Sequence, residues 1–275
     1  MAGTLYVVAT PLGNLGDLSP RAADTLKHVA AVAAEDTRHS KPLLVHAGSR
    51  AELISFHQHS SERALERILR ILSEGRDVAL ITDAGTPAIS DPGVVLVAAA
   101  RERGLQVVTI PGPNAVAASV AVSGISGDRY LFLGFLPRKG SDRRRFLLTA
   151  AQSEWTVVIF EAPNRVTQLL ADLLEVCGSE RQAAVSRELT KVFEETRAGT
   201  LQELSEHYAE APARGEVTVV LSGTGKQHVE EPPPDPGERA KALLAEGLSR
   251  KDVAHRLAEE TGISRNAAYR LVSEL

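Results

Sequence analysis

Four short apolar runs in the first half of this chain each stop at a loop rich in glycine, proline or carboxylate, and that repeated stop constrains the fold most. Residues 5–9 end in TPLGN (10–14), 29–34 in EDTR (35–38), 78–82 in TDAGTP (82–87) and 106–110 in PGPN (111–114). Helical patterns lie between them. Ser19 and Pro20 read as an N-cap followed by proline at the first helical position, opening a helix through about His28. Within 61–74, Leu65, Ile68, Leu69 and Leu72 share one helical face, with Ser60 as the cap and Gly75 as the stop. A further helix over 94–103 is closed by Gly104. Strands that are apolar throughout are buried on both faces. At this spacing they imply right-handed βαβ units and a mostly parallel sheet. In such sheets ligands bind at the carboxyl ends of the strands, where the four loops lie.

The second half predicts strands over 130–135, 156–160, 182–186 and 217–221, and helices over 143–151, 165–176 and 201–209. A division follows: an N-terminal α/β domain over 1–126, a second α/β domain over 127–224 and a Pro-rich linker over 225–237 containing EEPPPDPG. A small C-terminal helical unit, similar to a helix-turn-helix, covers 238–275. In that unit Ser249 caps one helix, residues 261–264 form a tight turn and Ser264 caps the last helix.

Composition narrows the class. A net charge of -4 over 275 residues means that any nucleic-acid contact must come from locally clustered cations. From Glu238 onward, seven basic residues face six acidic ones, a poor balance for a free-standing DNA reader, so the unit is read as an accessory docking module. The single cysteine, Cys177, permits no internal disulfide and points to a reducing compartment. The short apolar run after Met1 has no basic segment before it and reads as a first strand rather than a signal peptide. The longest apolar stretch, near 115–125, is shorter than the ~20 residues a membrane helix needs. A cytoplasmic protein without a membrane partner is expected.

The chemistry-bearing motifs differ in weight. TPLGNLGD lacks the Lys-Ser/Thr of a Walker loop and the glycine spacing of a dinucleotide fold, leaving a permissive loop or a simple turn. ITDAGTPAISDPG (81–93) is a stiffened strand-end loop, able to bind a nucleotide-like ligand through main-chain groups. Its alternative is a structural turn capped by Asp83 and Asp91. Glu35, Asp36, Arg38 and His57 are the candidates for taking a proton from a hydroxyl, although an Asp36–Arg38 ion pair ordering the loop explains two of them equally well. His57 and His59 form an HxH pair with no further ligand at zinc-site spacing, so no metal is expected. PRKGSDRRR (137–145) sets Arg138, Lys139, Arg143, Arg144 and Arg145 against one acid, either a phosphate-binding patch or a solvated helix start.

Taken in order, LYVVATPLGNLGD (5–17), AAEDTRHS (33–40), TDAGTPAISDPG (82–93), IPGPNA (110–115), GFLPRKG (134–140), FEAPNR (160–165) and RELTKVFEE (187–195) resemble the tetrapyrrole methylase superfamily. They look most like its ribosomal branch, whose members methylate a cytidine 2′-hydroxyl in small-subunit ribosomal RNA. The resemblance implies two α/β domains with S-adenosylmethionine in the cleft between them, usually a homodimer, with the small ribosomal subunit as partner. Carried over by position, the cofactor contacts are Pro11, Ala84, Gly85, Thr86, Pro87, Ile89, Asn114, Ala115, Phe160 and Glu161. FEAPNR departs from relatives, which often carry Tyr first. A methylase of a small tetrapyrrole is the rival within the superfamily, and a non-enzymatic nucleic-acid-binding regulator is the rival outside it.

Overall fold

Strands β1 (Thr4–Val8), β2 (Ala31–Ala34), β3 (Glu52–Ser55), β4 (Val78–Ile81) and β5 (Gln106–Ile110) form one sheet in the order β3-β2-β4-β1-β5, every neighbouring pair parallel. The computed structural model describes residues 2–57, 62–90, 93–224, 235–246, 248–261 and 263–273. The expected cap Ser60, His59 of the HxH pair, Asp91, Gly262 of the tail turn and most of the Pro-rich linker lie outside the described residues.

Helices α1 (Pro20–His28) and α2 (Thr37–His46) cover one face of this sheet, and α3 (Glu62–Ser73) and α4 (Val94–Glu102) cover the other. Successive residues of β2 supply both cores: Val32 and Ala34 meet Leu26 and Leu43, whereas Ala31 and Ala33 meet Ile68 and Leu72. That is why the strands read as unbroken apolar runs. Ser19 caps α1 through the Ala22 N–H, as its position predicts. Helix α2 is capped in the same way by Asp36, but Pro42 lies inside it and removes one N–H from the helical ladder.

Helix α5 (Ala115–Ser123) follows β5 and packs on the second sheet, against β8, β9 and β10. It is built from alanine, valine and serine, with Ser119 and Ser123 buried. A helix apolar all round has no amphipathic period, and its outer side stays exposed at Ala117, Ala121 and Val122. The second sheet contains β6 (Tyr130–Phe135), β7 (Thr156–Glu161), β8 (Gln182–Arg187), β9 (Glu195–Thr200) and β10 (Val217–Leu221) in the order β6-β7-β10-β8-β9. Only β6 and β7 run parallel; the remaining pairs are antiparallel. Helices α6 (Gly140–Gln152), α7 (Val166–Cys177) and α8 (Leu201–Glu210) bury Leu147, Leu169, Leu173, Leu204 and Tyr208 against it. Strand β9, ETRAGT, is half-exposed and polar, and no apolar alternation marks it.

Residues 1–224 make one compact unit and 225–275 another. The second contains α9 (Pro236–Ala245), α10 (Arg250–Thr261) and α11 (Arg265–Ser273) around a small core of Ala240, Leu243, Val253, Leu257, Ala268 and Val272. Ser249 and Ser264 accept the N–H groups of Asp252 and Ala267, as caps should. Among the described residues no helix is long and apolar enough to cross a membrane.

Candidate active site

A cavity of about 490 Å³ opens where the strand-end loops of the first sheet face the β7 and β10 ends of the second. Its first wall is a knot of two loops. Thr10 and Gly85 exchange backbone hydrogen bonds, and the Thr10 hydroxyl donates to the carbonyl oxygens of Thr82 and Gly85. The DAGTP loop is joined in turn to the loop before α5. Thr86 Oγ1 donates to the Pro113 carbonyl at 3.2 Å, and Asn114 Nδ2 donates to Thr86 Oγ1 at 3.3 Å. Asn114 also caps α5 through the Ala117 N–H, so the N-terminus of that helix opens on the cavity.

The backbone of this loop is strained. Gly85 has φ of 83°, and the non-glycine residues Ala88 and Ser90 stand at 67° and 58°. Each such residue costs on the order of 1–3 kcal/mol and tends to mark a ligand-binding segment. Of the cofactor contacts carried over from the resemblance, Ala84, Gly85, Thr86, Ile89, Asn114 and Ala115 line the cavity. Pro11 and Pro87 do not: both are buried behind it, and Leu12 takes the facing position.

Phe160 and Glu161 form the opposite wall, with Phe160 edge-on to Phe132 at 4.8 Å and tilted against Phe135 at 5.6 Å. The Glu161 side chain is fully buried. Its Oε1 accepts the Ala162 N–H at 2.9 Å, while Oε2 lies 3.2 Å from Arg165 Nη2 and 3.9 Å from Arg143 Nη1. Neither guanidinium aims an N–H along a hydrogen bond, so Oε2 keeps an unclaimed lone pair. This wall has a further part that motif spacing alone does not assign to the site: Glu188 and Lys191 of RELTKVFEE, with Gly215, Glu216, Val217 and Thr218. Lys191 Nζ donates to Glu188 Oε1 at 2.9 Å and Glu216 Oε2 at 3.2 Å. Burial works to lower the Lys191 pKa, but these carboxylates outweigh it and hold the ammonium protonated. The Lys191 hydrogen bond holds Glu188 below the usual carboxylate range.

The four proton-acceptor candidates separate. Glu35 lines the cavity. Asp36 accepts from the Arg38 backbone N–H at 2.8 Å, and from its Nε and Nη2 at 3.2 and 3.0 Å. Those hydrogen bonds lower its pKa to about 2, and Asp36 caps α2. A carboxylate so weakly basic is a poor proton acceptor near neutrality. Arg38 and the exposed His57 lie outside the cavity lining. Among the described residues no cluster of three or more His, Cys, Asp or Glu is placed to hold a metal.

The basic run divides too. Arg138, Lys139, Arg144 and Arg145 are exposed, with Arg145 3.2 Å from Asp142. Arg143 corrects the expectation of a phosphate contact: it is 8% exposed, donating from Nε to Asp172 at 2.7 Å and from Nη1 to the Pro137 carbonyl at 3.0 Å. Helical periodicity turns position 143 inward while its neighbours face out.

Residues 4–205 match the family described as Tetrapyrrole (Corrin/Porphyrin) Methylases. The chain belongs to the tetrapyrrole methylases. This tetrapyrrole methylase is 44% identical over 269 residues to the Xylella fastidiosa protein named ribosomal RNA small subunit methyltransferase I, covering 97% of this chain and 98% of the relative. A Synechocystis protein of the same name is 42% identical over 274 residues, covering 99% and 98%. Solved structures share the fold. The methyltransferase CobJ superposes with a TM-score of 0.63 at 17% identity, covering 83% of this chain and 97% of CobJ. Uroporphyrin-III C-methyltransferase from Thermus thermophilus, complexed with S-adenosyl homocysteine, gives 0.58 at 18%, covering 80% and 97%.

Proposed function

We propose that this tetrapyrrole methylase transfers a methyl group from S-adenosylmethionine to the 2′-hydroxyl of a cytidine in the decoding region of small-subunit ribosomal RNA. The observation that carries this reading is the 42–44% identity, over nearly the whole of both chains, to relatives named ribosomal RNA small subunit methyltransferase I. That similarity extends through the helical unit beyond the residues matched by the family.

The cavity fits the methyl donor. Its volume of about 490 Å³ falls in the ~300–1,000 Å³ range of small-molecule sites. Leu12, Ile89, Phe135 and Phe160 offer apolar surface for a nucleobase, and the fixed DAGTP and PGPN loops offer main-chain groups. The unclaimed Glu161 lone pair suits a ligand donor, and Glu35 adds a carboxylate to the lining, whereas Glu188 and Glu216 are engaged by Lys191. When bound, S-adenosylmethionine supplies a methyl group already activated on a sulfonium sulfur. The chain's remaining work is alignment and removal of the hydroxyl proton. Glu35 is the acceptor assigned to that proton, because it alone among the four candidates faces the cavity. Arg138, Lys139, Arg144 and Arg145 hold the RNA backbone, which positions the nucleotide without reading its base.

The same reading takes 1–126 and 127–224 as the two lobes, 238–275 as a docking module for the particle, and the enzyme as a cytoplasmic homodimer. The test incubates the purified protein with radiolabelled S-adenosylmethionine and small ribosomal subunits from cells lacking this gene, then maps the label. Label on one decoding-region ribose 2′-oxygen supports the reading. Binding of the donor with no label on RNA replaces it with a small-molecule acceptor, and no donor binding ends it.

A further inference from the structure

The turn between β8 and β9 is made at a conformational cost. Glu188 and Thr190 have φ of 50° and 68°, in the region L side chains avoid, and Thr190 Oγ1 is buried with no hydrogen-bond partner among the described residues. Neither feature helps the chain fold. Strain of this kind persists where surrounding contacts enforce it, and it concentrates at functional sites.

The enforcing contacts converge on Glu188. Its N–H donates to the Glu216 carbonyl at 3.0 Å, and its Oε1 accepts the Glu216 N–H at 3.1 Å. Residue 215 is glycine at φ 76°, and a Cβ there would lie 2.0 Å from Glu188 Oε1. Glu188 and Glu216 together fix the head of Lys191. The Lys191 side chain lines the cavity, and its stem lies on the loop after β1: a Cβ at Gly13 would fall 2.4 Å from its Cγ. The loops of the two sheets thus meet at one side chain, pinned at its charged end by the second sheet and seated along its stem on the first.

We propose that Lys191 is a positioning residue for methyl transfer, clamping the loop after β1 to the Glu188–Glu216 edge and so fixing the separation of the two cavity walls. The inference rests on the methyltransferase reading. Transfer between two bound partners is sensitive to their relative placement, and an error of about 1 Å can cost ~100-fold in rate. Donor affinity, set mainly by the DAGTP and PGPN loops, is less exposed to that error.

Three variants separate the elements of the clamp. Lys191→Met keeps the stem and loses the head; Lys191→Arg keeps the charge; Gly13→Ala lifts the stem and leaves the carboxylates in place. Each is compared with wild type for kcat and KM on small ribosomal subunits, for S-adenosylhomocysteine affinity, for thermal midpoint and for amide hydrogen exchange over residues 12–16. Lys191→Met and Gly13→Ala are expected to lower kcat by roughly 100-fold. Exchange over 12–16 should quicken, while S-adenosylhomocysteine affinity and thermal midpoint stay near wild type. Lys191→Arg should recover much of the rate. Unchanged exchange over 12–16 in Lys191→Met overturns the clamp, and so does a loss confined to KM. If wild type fails to methylate the subunits, the functional reading falls, and the exchange comparison still decides whether Lys191 holds the loop.

Discussion

Thr10 and Gly85, 75 residues apart in sequence, exchange both of their backbone hydrogen bonds, at 2.9 and 3.0 Å. This one pair joins the loop after β1 to the loop after β4 and gives the cavity a rigid first wall. It is possible because Gly85 adopts φ of 83° and because Thr10, 1% exposed, spends its hydroxyl on the same loop. Two strand-end segments become one ligand-facing surface.

Gly85→Ala tests that wall. A Cβ at φ 83° is strained, and it would also stand 3.3 Å from the Leu12 side chain. The substitution is expected to destabilise the protein by about 1–2 kcal/mol and to weaken S-adenosylhomocysteine binding. Denaturant titration and calorimetry measure the two effects. Wild-type affinity in a folded variant would show that the loop geometry does not hold the ligand.

Asp36 and Glu35 are adjacent and should behave oppositely. The Asp36 pKa is about 2 against an ordinary value of 3.8, so its stabilising contribution is present above 3.8 and is lost as the pH falls through about 2. The stability gap between wild type and Asp36→Asn should therefore be full at pH 7 and close toward pH 2, and a carbon-13 titration of the Asp36 carboxyl should centre near 2. Asp36→Asn should retain most of the methylation rate, whereas Glu35→Gln should lose it. A large rate loss in Asp36→Asn with normal stability would move the proton acceptor to Asp36.

The basic run of α6 should separate into stability and binding. Arg143→Met strips the ion-pair partner from Asp172, leaving it the Gln168 hydrogen bond, and removes one of two guanidinium neighbours from Glu161; it is expected to cost about 3 kcal/mol. The exposed triple variant Arg138→Ala, Lys139→Ala, Arg144→Ala should melt like wild type. Its RNA affinity should fall, with the log–log salt slope shallower by about 2, at roughly 0.7 per single-strand phosphate lost. Fluorescence anisotropy at several salt concentrations reads the slope, and an unchanged slope would remove these residues from the RNA surface.

Tyr208 is 2% exposed, and its hydroxyl finds no hydrogen-bond partner among the described residues. Burial raises its pKa. Removing a buried, unsatisfied hydroxyl spares its desolvation cost, so Tyr208→Phe should leave stability unchanged or raise it by about 1 kcal/mol. A loss larger than that would reveal a partner for the hydroxyl.

Elements governed by local rules are legible in the amino-acid order alone. Ser19 with Pro20, the stripe Leu65, Ile68, Leu69 and Leu72, and the twin caps Ser249 and Ser264 stand where short-range spacing puts them. The elements that spacing does not announce lack a period. Helix α2 carries Pro42, α5 is apolar on every side, and β9 is polar and half-exposed. Each exists because a neighbouring surface supports it, not because its own residues demand it.

The sequence by itself determined the strand-end loops and the resemblance to the family, because those follow from period, turn chemistry and motifs contiguous in the chain; that Leu12 rather than Pro11 lines the cavity was not legible there. Only the tertiary structure decided that Glu35 faces the cavity while Arg38 and His57 do not, and that Lys191 reaches Gly13. The physical reason is distance along the chain. A contact between segments more than a hundred residues apart depends on how two sheets are packed, and no local spacing records it.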